Sequence, residues 1–198
     1  MLPDRFYPIF DAADWLERAL PLGVRFVQLR DKTREGEALR AEIARARDLC
    51  VRHGATLVVN DHWREAIDLG CDFIHLGQED LAGADVPAIR RAGLRLGVST
   101  HDDDELETAL GTDPAYVALG PVYPTRLKAM RFGPQGLDRV SEWKARVGER
   151  PLVAIGGLSV ERAAGVLAAG ADCVSVVTDI TLNDDPEARL RQWIEATR

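Results

Sequence analysis

Eight short apolar runs, rich in β-branched residues, alternate along this chain with longer stretches of helical period. The runs are Phe6–Phe10, Val24–Leu29, Thr56–Val59, Phe73–Leu76, Leu94–Val98, Ala115–Leu119, Leu152–Ile155 and Cys173–Val177. Each is almost continuously apolar. That implies burial on both faces, the condition of a parallel strand covered by helices. The stretches between carry helix punctuation. Ala12, Trp15, Leu16, Ala19 and Leu20 mark one face after the first run, with Asp11 as the expected N-cap. Leu39, Ile43, Ala46 and Cys50 follow the second run at helical spacing. Further helices are expected in a segment ending near Gly70, over Val86–Ala92, Asp103–Leu110 and Asp138–Val147, and from a Ser159 cap through Ala169. Gly93, Gly111 and Gly170 stand just past three of them, as C-terminal stops do. The last helix opens at Asp185-Pro186, a cap followed by proline at the first helical position, with Leu190, Trp193 and Ile194 on its apolar face.

Eight such units predict an α/β fold, a single (β/α)8 barrel domain over residues 1–198 with short loops. A doubly wound open sheet is the rival. Eight units close naturally, and no GxGxxG follows the first run.

Charge narrows the function. The chain has 25 basic and 32 acidic residues, a net charge of −7, which disfavours nucleic-acid binding by electrostatic attraction. Any phosphate must be held by a local site. Cys50, Cys71 and Cys173 show no metal or redox spacing and read as buried free thiols of a reducing compartment. The first residues lack the features of a secretion signal, and no run approaches the length that spans a bilayer, so a cytoplasmic protein without a membrane partner is expected. A homo-oligomer stays open, since a small barrel exposes helix faces that can pair.

In a barrel of this kind the active site lies at the C-terminal ends of the strands. Those ends carry the uncommon polar residues: Gln28 to Lys32, Asn60-Asp61, His75 to Asp80, Ser99 to His101, Thr125 to Lys128, Gly156-Gly157 and Val177 to Asp179. Taken singly, each has an ordinary structural explanation. Arg30 and Lys32 suit strand-end ion pairs; Asn60-Asp61, Asp80 and Ser99 or Thr100 suit helix caps; Gly156-Gly157 suits a tight turn. His75 and His101 suit packing or hydrogen bonding, and His53 and His62 have no supporting context. Taken together they converge. Asp61 and Asp80 end adjacent strands, and Arg30, Lys32 and Lys128 share their rim. Mg²⁺ favours such a set, one or two carboxylates completed by substrate phosphate and water. Gly156-Gly157 and Thr178 form a second anion site on the loops after strands seven and eight, where barrels commonly hold phosphate.

Seven segments then resemble the thiamin phosphate synthase family, in the family's order: QLRDK (Gln28–Lys32), VNDHWREAIDLG (Val59–Gly70), HLGQEDL (His75–Leu81), LGVSTHDDDE (Leu96–Glu105), ALGPVYPT (Ala118–Thr125), VAIGGL (Val153–Leu158) and VSVVTDI (Val174–Ile180). The resemblance implies a transferase of the thiamin pathway. It would join the pyrimidine half of thiamin, as its hydroxymethyl pyrophosphate, to the thiazole half, as its phosphate or carboxylated phosphate, with Mg²⁺. It implies that Gln28, Arg30, Lys32, Asn60, Ser99 and Lys128 hold the pyrimidine pyrophosphate, with Arg30, Lys32, Lys128 and Ser99 catalytic. Leu29 and Asp31 complete the first binding segment, and Arg126 and Leu127 the loop segment. Asp61 and Asp80 would hold the metal, and Thr125, Gly157, Val177 and Thr178 the thiazole phosphate.

Two positions depart from the family pattern. Thr125-Arg126-Leu127-Lys128 stands where the family reads Thr-x-Thr-Lys, so Leu127 has lost a hydroxyl. Thr178 replaces a serine and keeps one. The implied attack by an unprotonated thiazole nitrogen needs no general base, in keeping with a rim that carries no evident Ser-His or Cys-His pair. The segment Pro121–Leu137, with Gly133 and Gly136, is the expected lid. Two alternatives stay open: a thiazole tautomerase of the same superfamily, against which Gly120-Pro121 argues because those enzymes have Gly-His, and a catalytically silent binding protein of the pathway.

Overall fold

A computed structural model describes residues 1–125 and 132–198. Its eight strands are β1 (Phe6–Phe10), β2 (Phe26–Leu29), β3 (Thr56–Asn60), β4 (Phe73–Leu76), β5 (Arg95–Thr100), β6 (Tyr116–Leu119), β7 (Leu152–Ile155) and β8 (Cys173–Val176). All pair in parallel and in sequence order, and β8 returns to β1, with Tyr7 opposite Ser175. This is the closed (β/α)8 barrel; the open sheet is excluded.

The first four helices are α1 (Ala13–Ala19), α2 (Gly36–His53), α3 (Trp63–Asp68) and α4 (Gln78–Ala82). They are followed by α5 (Val86–Arg91), α6 (Asp103–Gly111), α7 (Gly136–Val147), α8 (Val160–Ala168), α9 (Thr178–Thr181) and α10 (Pro186–Ala196). Two of these, α4 and α9, are short helices after β4 and β8 that the periodicity did not anticipate. Four or five residues are too few for a 3.6-residue repeat to register. The caps also differ in detail. Ala12, not Asp11, precedes α1, and Ser159 stands at the N-cap of α8 without a capping hydrogen bond. Asp102 caps α6 through the Glu105 amide, in place of Ser99 or Thr100, while Asp85 and Asp185 cap α5 and α10.

Strand alternation creates two cores. Outward residues such as Phe6, Leu29, Val59 and Leu119 pack under the helices, together with Trp143 of α7 and Trp193 of α10, both fully buried. Inward residues Tyr7, Phe26, Val58, Phe73, Tyr116, Ala118, Val153 and Cys173 fill the barrel floor. The two tryptophan N–H groups donate to Thr100 Oγ1 and Asp179 Oδ2, so neither bulky ring leaves a buried donor unmet. All three cysteines are buried free thiols, and burial pushes Cys50 up to about 12 and Cys71 up to about 11. Among the described residues no helix is long and apolar enough to cross a membrane.

Candidate active site

The candidate residues gather at the C-terminal rim. After β2 the chain alternates. Gln28 turns into the barrel, Leu29 packs its side chain outward under the helices, and Arg30 and Lys32 are exposed above. Leu29 therefore offers the rim only its backbone. Asp31 between them is buried and fully engaged within the loop. It accepts from the amides of Thr33 and Arg34, from Thr33 Oγ1 and from Arg34 Nη1 at 2.6 Å. Burial pushes its carboxyl up, but these hydrogen bonds outweigh it and hold the group at about 2. The loop that carries Arg30 and Lys32 is thus built around a permanent anion. His62 Nε2 also lies 3.1 Å from the Asp31 carbonyl, a role for which the sequence carried no signal.

Asp61 follows β3 in a left-handed backbone conformation (φ 65°), uncommon for any residue but glycine. Its amide donates to the His75 carbonyl of the neighbouring strand at 2.9 Å. The turn aims its carboxylate at the rim, where Lys32 Nζ forms an ion pair with Oδ2. Asp80, in α4, lies within hydrogen-bonding reach of Asp61, and its carboxyl is pushed upward by burial and then by the Asp61 charge. Neither Asp acts as a helix cap. The N-cap of α3 is His62, without a side-chain bond, and α5 is capped by Asp85. Two carboxylates crowd one place, and Lys32 lies against one of them.

Below the rim a polar chain runs through the barrel. Gln28 Nε2 donates to Tyr7 Oη at 2.7 Å, and Tyr7 Oη lies 2.9 Å from Tyr116 Oη. Tyr116 Oη lies 2.9 Å from His75 Nδ1, and His75 Nε2 lies 2.7 Å from Ser99 Oγ. Burial holds both tyrosines well above the ordinary phenol range and lowers His75 to about 4. Gly97 admits Tyr116: a Cβ there would lie 2.5 Å from its hydroxyl oxygen and nearer still to its ring. The sequence marked Gln28 and Ser99. It did not mark Tyr7 and Tyr116, which read as ordinary strand aromatics. The detectable signal was their inward register.

On the far side of the rim, Gly156 (φ 97°) and Gly157 (φ 64°) follow β7. A Cβ on Gly156 would lie 2.6 Å from Pro121 Cα, and one on Gly157 2.8 Å from the Tyr123 carbonyl oxygen. The segment leaving β6 therefore lies directly against this turn, fastened by Val122 N–H to the Ile155 carbonyl and Tyr123 N–H to Gly156. Thr125 ends the described part of that segment. Val177 and Thr178 open α9 opposite, and amides at the start of a helix lack intrahelical acceptors. Arg126, Leu127 and Lys128, with the centre of the expected lid, lie outside the described residues. His101 is paired with Glu105 at 2.7 Å and stacked on Phe132 at 4.9 Å, engaged as a structural residue. Asn60 is buried at the rim end of β3. A cavity of about 240 Å³ lined by Asp4, Arg25 and Arg198 contains none of the candidate residues.

The family model for thiamine monophosphate synthase matches residues 6–180. The chain belongs to that family. It is 62% identical to a thiamine-phosphate synthase of Rhizobium etli over 194 residues, 98% of this chain and 95% of the relative. It is 47% identical to a thiamine-phosphate synthase of Citrobacter koseri, covering 96% of this chain and 87% of that one. The solved structure of a thiamine phosphate pyrophosphorylase from Pyrococcus furiosus superposes with a TM-score of 0.86, at 22% identity, over 98% of this chain and 95% of that one. The sequence likeness gives the family, and the superposition independently gives the same barrel.

Proposed function

We propose that this member of the family joins the hydroxymethylpyrimidine pyrophosphate to thiazole phosphate, giving thiamin phosphate and pyrophosphate. One observation carries the reading to the level of residues: Asp61 and Asp80 meet at neighbouring strand ends with Lys32 against them. Two crowded carboxylates, one of them pushed toward its protonated form, are a donor set that a divalent cation relieves. Asp61 and Asp80 would hold Mg²⁺, which supplies charge neutralisation to a bound pyrophosphate.

The chain's own residues do the rest. The C–O bond to the pyrophosphate breaks with its electron pair on the leaving oxygen, and the thiazole nitrogen supplies the pair for the new C–N bond. No proton moves at the reacting nitrogen. The work left to the protein is charge stabilisation and alignment. Arg30 and Lys32, exposed on a loop fixed by Asp31, would meet the growing negative charge, and Lys128 joins them by the sequence pattern. Lys32 would exchange its Asp61 contact for the pyrophosphate. Gln28, Asn60 and Ser99 bind the pyrimidine substrate, with the backbone of Leu29 and Asp31 beside it. Thr125, Gly157, Val177 and Thr178 hold the thiazole phosphate, with Arg126 and Leu127 on the same loop. The full-length likeness to named synthases favours this reading over a tautomerase or a silent binder.

A turnover assay with both substrates tests it. Thiamin phosphate should form with Mg²⁺ and stop when EDTA is added. No product with both substrates and metal present refutes the reading.

A further inference from the structure

We propose that Tyr7, Tyr116 and His75 are positioning residues forming a one-way chain of hydrogen bonds, which presents Gln28 as an acceptor and Ser99 as a donor to the pyrimidine substrate. This deepens the reading above and rests on it for the substrate's identity. The direction follows from the donors and acceptors available. An amide nitrogen only donates, so Tyr7 Oη accepts from Gln28 Nε2. The Tyr7 proton then needs an acceptor, and the other partner of this buried hydroxyl among the described residues is Tyr116 Oη. Tyr116, accepting there, directs its own proton to His75 Nδ1. An imidazole that accepts at Nδ1 carries its proton on Nε2, and that N–H donates to Ser99 Oγ. The Ser99 proton is left free of His75 and available at the rim.

The two ends are coupled. With Nε2 facing Tyr7, Gln28 keeps Oε1 as an acceptor. Turning the amide over would reverse every bond. Tyr7 would donate to Oε1, His75 would carry its proton on Nδ1, and Ser99 would give its proton to Nε2. Gln28 then offers only a donor and Ser99 only an acceptor. The pyrimidine substrate has a ring amino group that donates and a pyrophosphate that only accepts. An acceptor at Gln28 with a donor at Ser99 suits both groups; the reversed chain suits neither. The links among Gln28, Tyr7, Tyr116 and His75 are buried away from water and the last, to Ser99, is part-buried; an unmet donor or acceptor in the buried links is expensive, so those links switch together.

The test reads His75 directly. In nitrogen-15-labelled wild-type protein, the imidazole should carry its proton on Nε2, with Nδ1 bare. A proton on Nδ1, or on both nitrogens, overturns the proposal. Tyr116→Phe removes the donor to Nδ1 and lets Ser99 turn its proton inward. Its kcat/KM for the pyrimidine pyrophosphate should fall roughly 10- to 100-fold, the range for losing a hydrogen bond to a charged group. In a Ser99→Ala background the same change should cost clearly less than in wild type, the remainder being the Gln28 end, whose amide turns to accept the Tyr7 proton once Tyr116 Oη is gone. A second loss of equal size would make Tyr116 a packing residue only and also overturns the proposal. Should Tyr116→Phe fail to fold, the wild-type tautomer decides. Absence of thiamin phosphate synthesis by the wild type would instead sink the functional reading, and the tautomer would still report the direction of the chain.

Discussion

Gly97→Ala adds one methyl group to the barrel interior and should be among the most damaging single changes the protein can receive. The new Cβ would lie 2.5 Å from Tyr116 Oη and closer to two of its ring atoms, where carbon atoms rest at about 3.5–4.0 Å. Tyr116 has nowhere to go. Its fully buried ring stacks on His75 at 5.6 Å and meets Tyr7 edge-on at 6.0 Å, with Phe26 and Phe73 beside it. Overpacking of this kind costs about 1–3 kcal/mol. Displacing the hydroxyl also parts it from Tyr7 and His75, and buried groups left unpaired add about 1–3 kcal/mol each. A total of ~3–9 kcal/mol follows, much of the ~5–15 kcal/mol that holds a domain folded. For a chain of this size the melting temperature should drop by roughly 6–36 °C. Urea unfolding followed by circular dichroism, with calorimetry alongside, gives the number. A variant within about 1 kcal/mol of wild type would show that the ring can move aside, and the tight seat described for Tyr116 would be wrong. Truncating Tyr116 in the same molecule should recover part of the loss, because the two positions share one volume.

Asp61→Ala should lower turnover at least ~10²-fold, the scale of removing a principal electrostatic stabiliser, while costing only about 1 kcal/mol of stability for alanine in the left-handed backbone at 61; equal activity in the variant would remove Asp61 from the metal site. Asp31→Asn should destabilise the fold by ~1–2 kcal/mol at neutral pH, discounted for the partly exposed Arg34. Because Asp31 sits below its ordinary value in the folded protein, its contribution is complete above about pH 4 and lost as pH falls through about 2. The variant's stability should therefore fall less steeply than wild type's across that window, and parallel curves would contradict the assignment. Leu127→Thr, which restores the family's hydroxyl, should lower KM for thiazole phosphate by roughly 3- to 100-fold and leave the pyrimidine KM alone; an unchanged KM would mean that residue 127 does not serve that phosphate.

The barrel was legible because its signals are local and repeated. Runs such as Phe73–Leu76 and Leu152–Ile155 match their strands to the residue, and Asp185-Pro186 opens the last helix as expected. What escaped were features without a period or a motif. The short helices α4 and α9 are one such case. Asp31 is another: it reads as a binding-segment residue, yet its side chain is consumed by the loop it organises. The interior chain is the clearest case. Tyr7 and Tyr116 are separated by 109 positions, and only barrel closure brings their hydroxyls together. A linear reading can find the ends of such a chain, Gln28 and Ser99, but not its middle.

The adjacent residues Ser99 and Thr100 face opposite sides of one strand, the first toward His75 and the rim, the second toward Trp143 under the helices. This back-to-back arrangement has an evolutionary consequence. Outward positions answer mainly to volume and can drift one at a time. Inward positions of β1, β2, β4, β5 and β6 are bound to one another by donor and acceptor, and by the room that residue 97 leaves for residue 116. Substitutions there should be inherited in sets. A descendant that places a side chain at 97 is expected to carry a smaller residue at 116, and with it a different partner for His75.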